Sequence, residues 1–202
     1  MQIKIAAENT AFPFLIIEDF YTPEELERVW HEIDHIHSSH WHSAASDTTG
    51  NRSVVNGQTL ATSDRVYMDD VYRNKRDSST VLSTMGRVGH PTVLEAYEQY
   101  VPPGRSLKFT NSDRTILARY TNTQAYQEHI DVYLHSQILF LHREPKKFTG
   151  GDLYFRDSNS LVECRSNTCV LFPSYYYHAV HPVACDSLRN SRFSVTRFYY
   201  ST

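Results

Sequence analysis

TILARYTNTQAYQEHIDVYLHSQILFLH, residues 115–142, is the stretch whose reading decides the fold class. It holds three β-prone runs, 115–120, 127–132 and 136–142, separated by short polar connections. Five more runs rich in Ile, Leu, Val, Phe and Tyr follow at 152–155, 160–164, 168–172, 178–183 and 192–200, divided by Gly, Pro, Asn and Ser. β-branched and aromatic side chains fit a pleated, half-buried surface, so these runs are expected to be strands. Eight short strands in succession predict a jelly roll, a double-stranded β-helix whose two sheets face each other.

Working outward from there, residues 1–105 have a different character. FPFLII, residues 12–17, predicts one strand. Thr22-Pro23-Glu24-Glu25 then supplies an N-cap, a proline at the first helical turn and a capping-box Glu, which start a helix expected over 23–37. Leu26, Val29, Trp30 and Ile33 recur at helical spacing, so one face of that helix packs on a sheet. A second helical stretch is expected over 77–100, broken or kinked at Gly89 and Pro91. Between them the polar segment 43–65 carries Asn56-Gly57, a strong hairpin signal, read as a mobile hairpin or loop that could act as a lid. The chain is thus expected to be mainly β with flanking helices: one domain with a helical N-terminal part of about 1–105 packed on one sheet and a jelly-roll core of about 106–202.

Charge narrows the partners. Twenty Lys and Arg against 23 Asp and Glu give a formal net charge of -3, with no electrostatic footprint for a polyanion, so nucleic acid is not an expected partner. MQIKIAAENT lacks the apolar core of a secretory leader and no early run is long enough to span a bilayer, which points to a cytoplasmic protein without a membrane partner. Cys164, Cys169 and Cys185 are an odd set in a domain large enough to need no staples, and free thiols are expected.

The chemistry lies in the histidines and carboxylates of the β half. His129 and Asp131 are two apart in a β-prone run, so strand alternation would turn both to one side, where they could share one ion. His178, after the run VLFP, supplies the third ligand. Two imidazoles and a carboxylate on one face of an octahedral ion leave three positions open, the arrangement of non-heme iron(II) oxygenases. His181 is a rival to His178, but alternation puts it on the opposite face. The cluster His31 to His42 is read as a solvated helix end.

Four segments in this order carry a family likeness: ARYTNTQAYQEHID, the Gly150-Gly151-Asp152-Leu153 step after ILFLH, LFPSYYYHAVHPV, and the closing RFSVTRF. They resemble the iron(II)/2-oxoglutarate dioxygenases, and most closely the prolyl 4-hydroxylase branch, over roughly residues 116–199. The resemblance implies Fe(II), 2-oxoglutarate and dioxygen as cofactor and cosubstrates, with ascorbate as an accessory reductant, and hydroxylation of an unactivated C–H bond with release of succinate and carbon dioxide. It further implies His129, Asp131 and His178 as the iron ligands. Arg192 and Ser194 then hold the distal carboxylate of 2-oxoglutarate, Tyr120 donates its phenol to the same molecule, and Tyr126 lines the substrate side. An arginine fork suits a carboxylate. Arg192 lies fourteen residues beyond His178, farther than the family usually has it, which leaves Arg189 as a rival anchor. The expected substrate is a peptidyl proline; a free amino acid or other small molecule is the alternative, and a non-catalytic metal-binding jelly roll a third reading. Tyr175 to Tyr177 are expected to pack, Asp152 to serve a turn, and Asp69, Asp70 and Arg73 to grip substrate or face water.

Overall fold

The computed structural model of the chain describes residues 1–44, 54–55 and 58–202. The N-terminal part comprises β1 (Gln2–Ala6), β2 (Phe14–Glu18), α1 (Pro23–His35), β3 (His42–Ser43), β4 (Val54–Val55), β5 (Gln58–Thr59), β6 (Asp64–Tyr67), α2 (Met68–Tyr72), α3 (Thr80–Met85) and α4 (Pro91–Tyr100). The remainder comprises β7 (Ser112–Tyr120), β8 (Tyr126–His129), β9 (His135–Leu141), β10 (Phe148–Gly150), β11 (Leu153–Phe155), β12 (Ser160–Val162), β13 (Thr168–Pro173), β14 (His178–Val180), β15 (Val183–Cys185) and β16 (Arg192–Tyr200).

Two antiparallel sheets form the jelly roll. The larger runs β1-β2-β13-β9-β16-β7-β6-β3 and the smaller β12-β11-β14-β8, while β10 with β15 and β4 with β5 form two-stranded ribbons. The smaller sheet faces one side of the larger, and the helices cover the other. Alternation along β16 makes this concrete. Phe193 and Val195 belong to the helix-side core with Val29, Ile33, Leu82 and Tyr97; Arg192, Ser194 and Thr196 point into the space between the sheets. That inner space is otherwise filled by Phe14, Phe140, Phe155, Phe172 and Tyr176, with Phe14 stacked on Phe155 at 4.3 Å. Each such fully buried side chain contributes about 1.5–3 kcal/mol relative to exposure.

The capping box of α1 forms as the sequence indicates: Glu25 N–H donates to Thr22 Oγ1 at 3.3 Å and Thr22 N–H donates to the Glu25 carboxylate at 2.9 Å. Trp30 on its apolar face meets Phe193 edge-on at 5.4 Å, which ties the helix to the middle of the larger sheet. The 77–100 stretch divides into α3 and α4 with a 3-10 turn at Gly86–Gly89, and Pro91 opens the second helix.

Several expectations change. The 127–132 strand stops at His129, and the 178–183 strand is two short pieces, β14 and β15, split at His181 and Pro182 because β14 pairs with β8 and β11 while β15 pairs with β10. β1, β3 and β6 extend the larger sheet from the N-terminal part, where only β2 was expected. Asn56 and Gly57, on which the hairpin and lid expectation rests, lie outside the described residues; the flanking β4 and β5 are antiparallel, with Val55 opposite Gln58. The three cysteines are free thiols. Among the described residues no helix is long and apolar enough to cross a membrane.

Candidate active site

His129 ends β8 and His178 begins β14, directly opposite each other in the ladder, with a register irregularity just beyond His178. Asp131 is past the strand end, so it is the loop rather than strand alternation that aims it; its N–H donates to Ser174 O at 2.9 Å. One ligand atom from each of the three residues lies within 4.8 Å of the others. His129 Nδ1 is 2.8 Å from Gln127 O and His178 Nδ1 is 2.9 Å from Tyr176 O. A carbonyl can only accept, so both Nδ1 atoms carry protons and both Nε2 atoms present lone pairs. Those Nε2 atoms each lie 3.5 Å from an Asp131 oxygen.

The electrostatics suit a cation. Burial opposes the charge on Asp131, but the two imidazoles and the Ser136 hydroxyl outweigh it and hold its carboxyl below the ordinary range. Burial, then the facing His129 ring, pushes His178 down to about 4, which keeps it neutral and able to ligate at neutral pH. Ser136 Oγ donates to Asp131 Oδ2 at 2.6 Å and lies 2.7 Å from Ser174 Oγ, so one carboxylate oxygen is already held.

A cavity of about 210 Å³ runs past this cluster between the sheets. One wall is the β7–β16 pair. It extends from Tyr120 opposite Arg192 at the inner end to Arg114 opposite Phe198 at the mouth, a span of roughly 20 Å at about 3.3 Å per residue. Asp131 is tied to Ser136, which pairs with Phe198, so the metal-capable cluster sits toward the mouth. The space inward of it ends on Arg192.

Arg192 is fully buried. Its Nε donates to Gly151 O at 2.7 Å and its Nη1 to Ser194 Oγ at 3.1 Å, while the guanidinium lies 4.7 Å above the Tyr120 ring. The Gly150-Gly151 step explains itself here. Both residues have φ above 70°, and a Cβ on Gly151 would come within 2.8 Å of Arg192 Cδ. Two buried polar atoms without a hydrogen-bond partner, His129 Nε2 and Arg192 Nη2, both belong to this cavity. An unpaired ring nitrogen in the cluster and an unpaired guanidinium nitrogen inward of it match a metal ion with a carboxylate ligand reaching deeper, so the residues present fit both iron(II) and 2-oxoglutarate.

Toward the mouth, Tyr126 stacks on the His129 ring at 3.6 Å, and Ile130 and Val132 stand exposed. Arg65 and Arg114 also line the cavity, and the sequence reading named neither. Arg114 could have been found by stepping back in twos from Tyr120; Arg65 sits in a polar segment taken for a loop. Arg189 lies in a 3-10 turn outside this cavity, and His181 is exposed. Asp69 is structural, paired with Arg76 and accepting from Thr115 N–H at 2.7 Å, while Asp70 and Arg73 are exposed and off the cavity. Asp152 caps Cys164 N–H at 2.8 Å. Tyr176 packs in the inner core, whereas Tyr175 and Tyr177 are exposed. His31 and His35 stack at 4.1 Å on an exposed helix end.

Residues 115–200, β7 to β16 almost entire, match the family model of the 2OG-Fe(II) oxygenase superfamily. No curated protein matches the chain. Among solved structures, a Pseudomonas putida prolyl-4-hydroxylase superposes with a TM-score of 0.63 at 14% identity, covering 98% of this chain and 100% of that one. A Trichoplax adhaerens prolyl hydroxylase in complex with a hypoxia inducible factor peptide fragment gives 0.60 at 17%, covering 93% and 83%. The non-heme alpha-ketoglutarate-dependent epimerase SnoN from nogalamycin biosynthesis gives 0.53 at 14%, covering 96% and 82%. At these identities the likeness speaks for the fold. The family match makes residues 115–200, which hold the His129, Asp131 and His178 cluster, a 2OG-Fe(II) oxygenase domain, in a chain with a prolyl-4-hydroxylase-like fold.

Proposed function

We propose that the enzyme hydroxylates a C–H bond of a peptidyl proline, with His129, Asp131 and His178 holding iron(II), Arg192, Ser194 and Tyr120 holding 2-oxoglutarate, and Tyr126 lining the substrate side. The observation that carries this reading is the order of groups along the cavity: a buried arginine with an uncommitted nitrogen at the inner end, the metal-capable cluster nearer the mouth, and an open, partly apolar entrance beyond it. Iron(II) bound there supplies the activation of dioxygen that couples oxidative decarboxylation of 2-oxoglutarate to hydroxylation of the substrate.

The chain's own residues do the rest. Gln127 O and Tyr176 O fix the tautomers and orientation of the two histidines, and Ser136 fixes the Asp131 carboxylate. Arg192 offers charge-assisted hydrogen bonds to the distal carboxylate in a site without bulk water, where such bonds are strongest. Tyr126, packed flat on His129, leaves a rigid aromatic wall for the face of a proline ring. Exposed Ile130 and Val132 at the rim suit an extended chain passing over the mouth, and one fold neighbour is a prolyl hydroxylase with a peptide bound.

The test is succinate release and product mass over a panel of proline-rich peptides and free amino acids. Hydroxylated peptidyl proline with stoichiometric succinate is expected; turnover on free amino acids alone would overturn the peptide assignment. His129→Ala, Asp131→Ala and His178→Ala should each lose both iron(II) binding and 2-oxoglutarate decarboxylation, and a variant that keeps both removes its residue from the ligand set.

A further inference from the structure

We infer that the substrate presents a carboxylate, which Arg114 grips at the mouth, on the far side of the iron site from Arg192. The inference rests on the proposed iron and 2-oxoglutarate sites and adds a charge requirement to the substrate. Arg114 begins the inward-facing series Arg114, Ile116, Ala118 and Tyr120 of β7, and Tyr67 and Arg65 of β6 pair with Ile116 and Ala118 in register. The Arg114 guanidinium lies 4.6 Å from the centre of the Tyr67 ring and makes no ion pair or hydrogen bond within the described protein. Stacking on an aromatic face holds the planar group in place while its N–H edges stay available for a bidentate partner.

Charge along the cavity supports the same conclusion. Among the described residues lining it, three are arginines, Arg65, Arg114 and Arg192, and Asp131 is the one carboxylate. Iron(II) and the 2-oxoglutarate dianion cancel each other, and Asp131 cancels Arg192. Arg114 then remains as a positive group on the wall facing the substrate. A neutral substrate closing over Arg114 would strip water from its charge without replacing it, whereas a carboxylate would pair with it.

That carboxylate can come from an acidic side chain next to a peptidyl proline or from the α-carboxylate of a free amino acid. Binding to the iron(II)- and 2-oxoglutarate-loaded enzyme without oxygen separates the two. The probes are acetyl-Ala-Pro-Glu-amide against its Gln counterpart, and L-proline against L-prolinamide. In at least one pair the acid is expected to bind roughly tenfold or more tighter than the amide. Arg114→Gln should bring that ratio to within about twofold while iron(II) and 2-oxoglutarate still bind, and Arg114→Lys, which keeps the charge without the fork, should retain part of it. Preference in the peptide pair identifies an acidic peptide. Preference in the proline pair alone keeps the carboxylate and overturns the peptidyl assignment above. No acid preference in either pair, or one that survives Arg114→Gln, overturns the inference, and hydroxylation of the Gln peptide would then leave the peptidyl assignment standing without it.

Discussion

Replacing Arg192 by lysine tests the inner end of the cavity most directly. The side chain is fully buried, its Nε held by Gly151 O at 2.7 Å and its Nη1 by Ser194 Oγ at 3.1 Å, with Nη2 unpartnered. Lysine keeps the aliphatic stem and the charge, so the core packing against Phe140 is spared, but a single ammonium cannot serve Gly151 O and a carboxylate as a planar fork does. Losing one charge-assisted bond to a buried carboxylate costs about 2–3 kcal/mol, a weakening of roughly 30- to 150-fold. Anaerobic titration of the iron(II)-loaded protein with 2-oxoglutarate reads this, and a thermal melt shows that the variant is folded. Arg189→Ala serves as the control. Arg189 is exposed and outside the cavity, so its removal should change the affinity less than about threefold. The reverse order, or unaltered affinity in Arg192→Lys, would refute both the anchor and the inward face assigned to the start of β16.

Three further outcomes follow from the same geometry. Ser136→Ala removes the 2.6 Å bond to Asp131 Oδ2 and should weaken iron(II) binding by about tenfold or more in an anaerobic metal titration; wild-type affinity would show that Asp131 is aimed by its loop alone. Gly151→Ala forces a Cβ onto a backbone with φ of +74° and to within 2.8 Å of Arg192 Cδ, so 2-oxoglutarate affinity should fall more than iron affinity, and equal loss of both would mean a general fold defect. Burial pushes His135 from 6.5 down to about 4, so the unfolded chain takes the proton first. Its contribution to stability is complete above pH 6.5 and is lost as pH falls toward 4, by about 3 kcal/mol. Denaturant midpoints across that window should have a shallower slope in His135→Gln than in the parent, and an unchanged slope would assign the acid sensitivity elsewhere.

How far the sequence could be read depends on whether an element is fixed locally or by a distant partner. In β16 polar and apolar positions alternate over the first five residues, Arg192 to Thr196, so the inward turn of Arg192, Ser194 and Thr196 is visible in the sequence alone. The box at Thr22 to Glu25 is local chemistry and was equally legible. The His129 and Asp131 spacing pointed to two residues that the structure brings together, though by another route than strand alternation: β8 ends at His129, and Asp131 is placed by hydrogen bonds to Ser174 and Ser136, forty-three and five residues away. β6 was not legible. Asp64 to Tyr67 lies in polar surroundings and becomes a strand through pairing with β7, about fifty residues on, and Arg65 joins the cavity only by that pairing. β1 is different again, since Ile3 and Ile5 alternate with polar neighbours and the pattern was there to be read.

The two faces of β16 also show why the helices matter to a site they do not touch. Arg192 faces the cavity and Arg197, five residues on, faces the helix layer, where its Nε donates to Thr115 Oγ1 at 3.0 Å and its Nη2 to Leu82 O of α3. Both arginines are buried, and an odd separation on a strand puts them on opposite sides. A slip of one residue against β7 and β9 would exchange the faces, carrying Arg192 into the apolar layer beneath Trp30 and Arg197 away from its carbonyl. Each misplaced guanidinium would be a buried charge without partners, a cost of several kcal/mol. Arg197 is therefore a register lock for the strand that presents Arg192, and α3, by offering the Leu82 carbonyl, takes part in holding the proposed 2-oxoglutarate anchor at its depth.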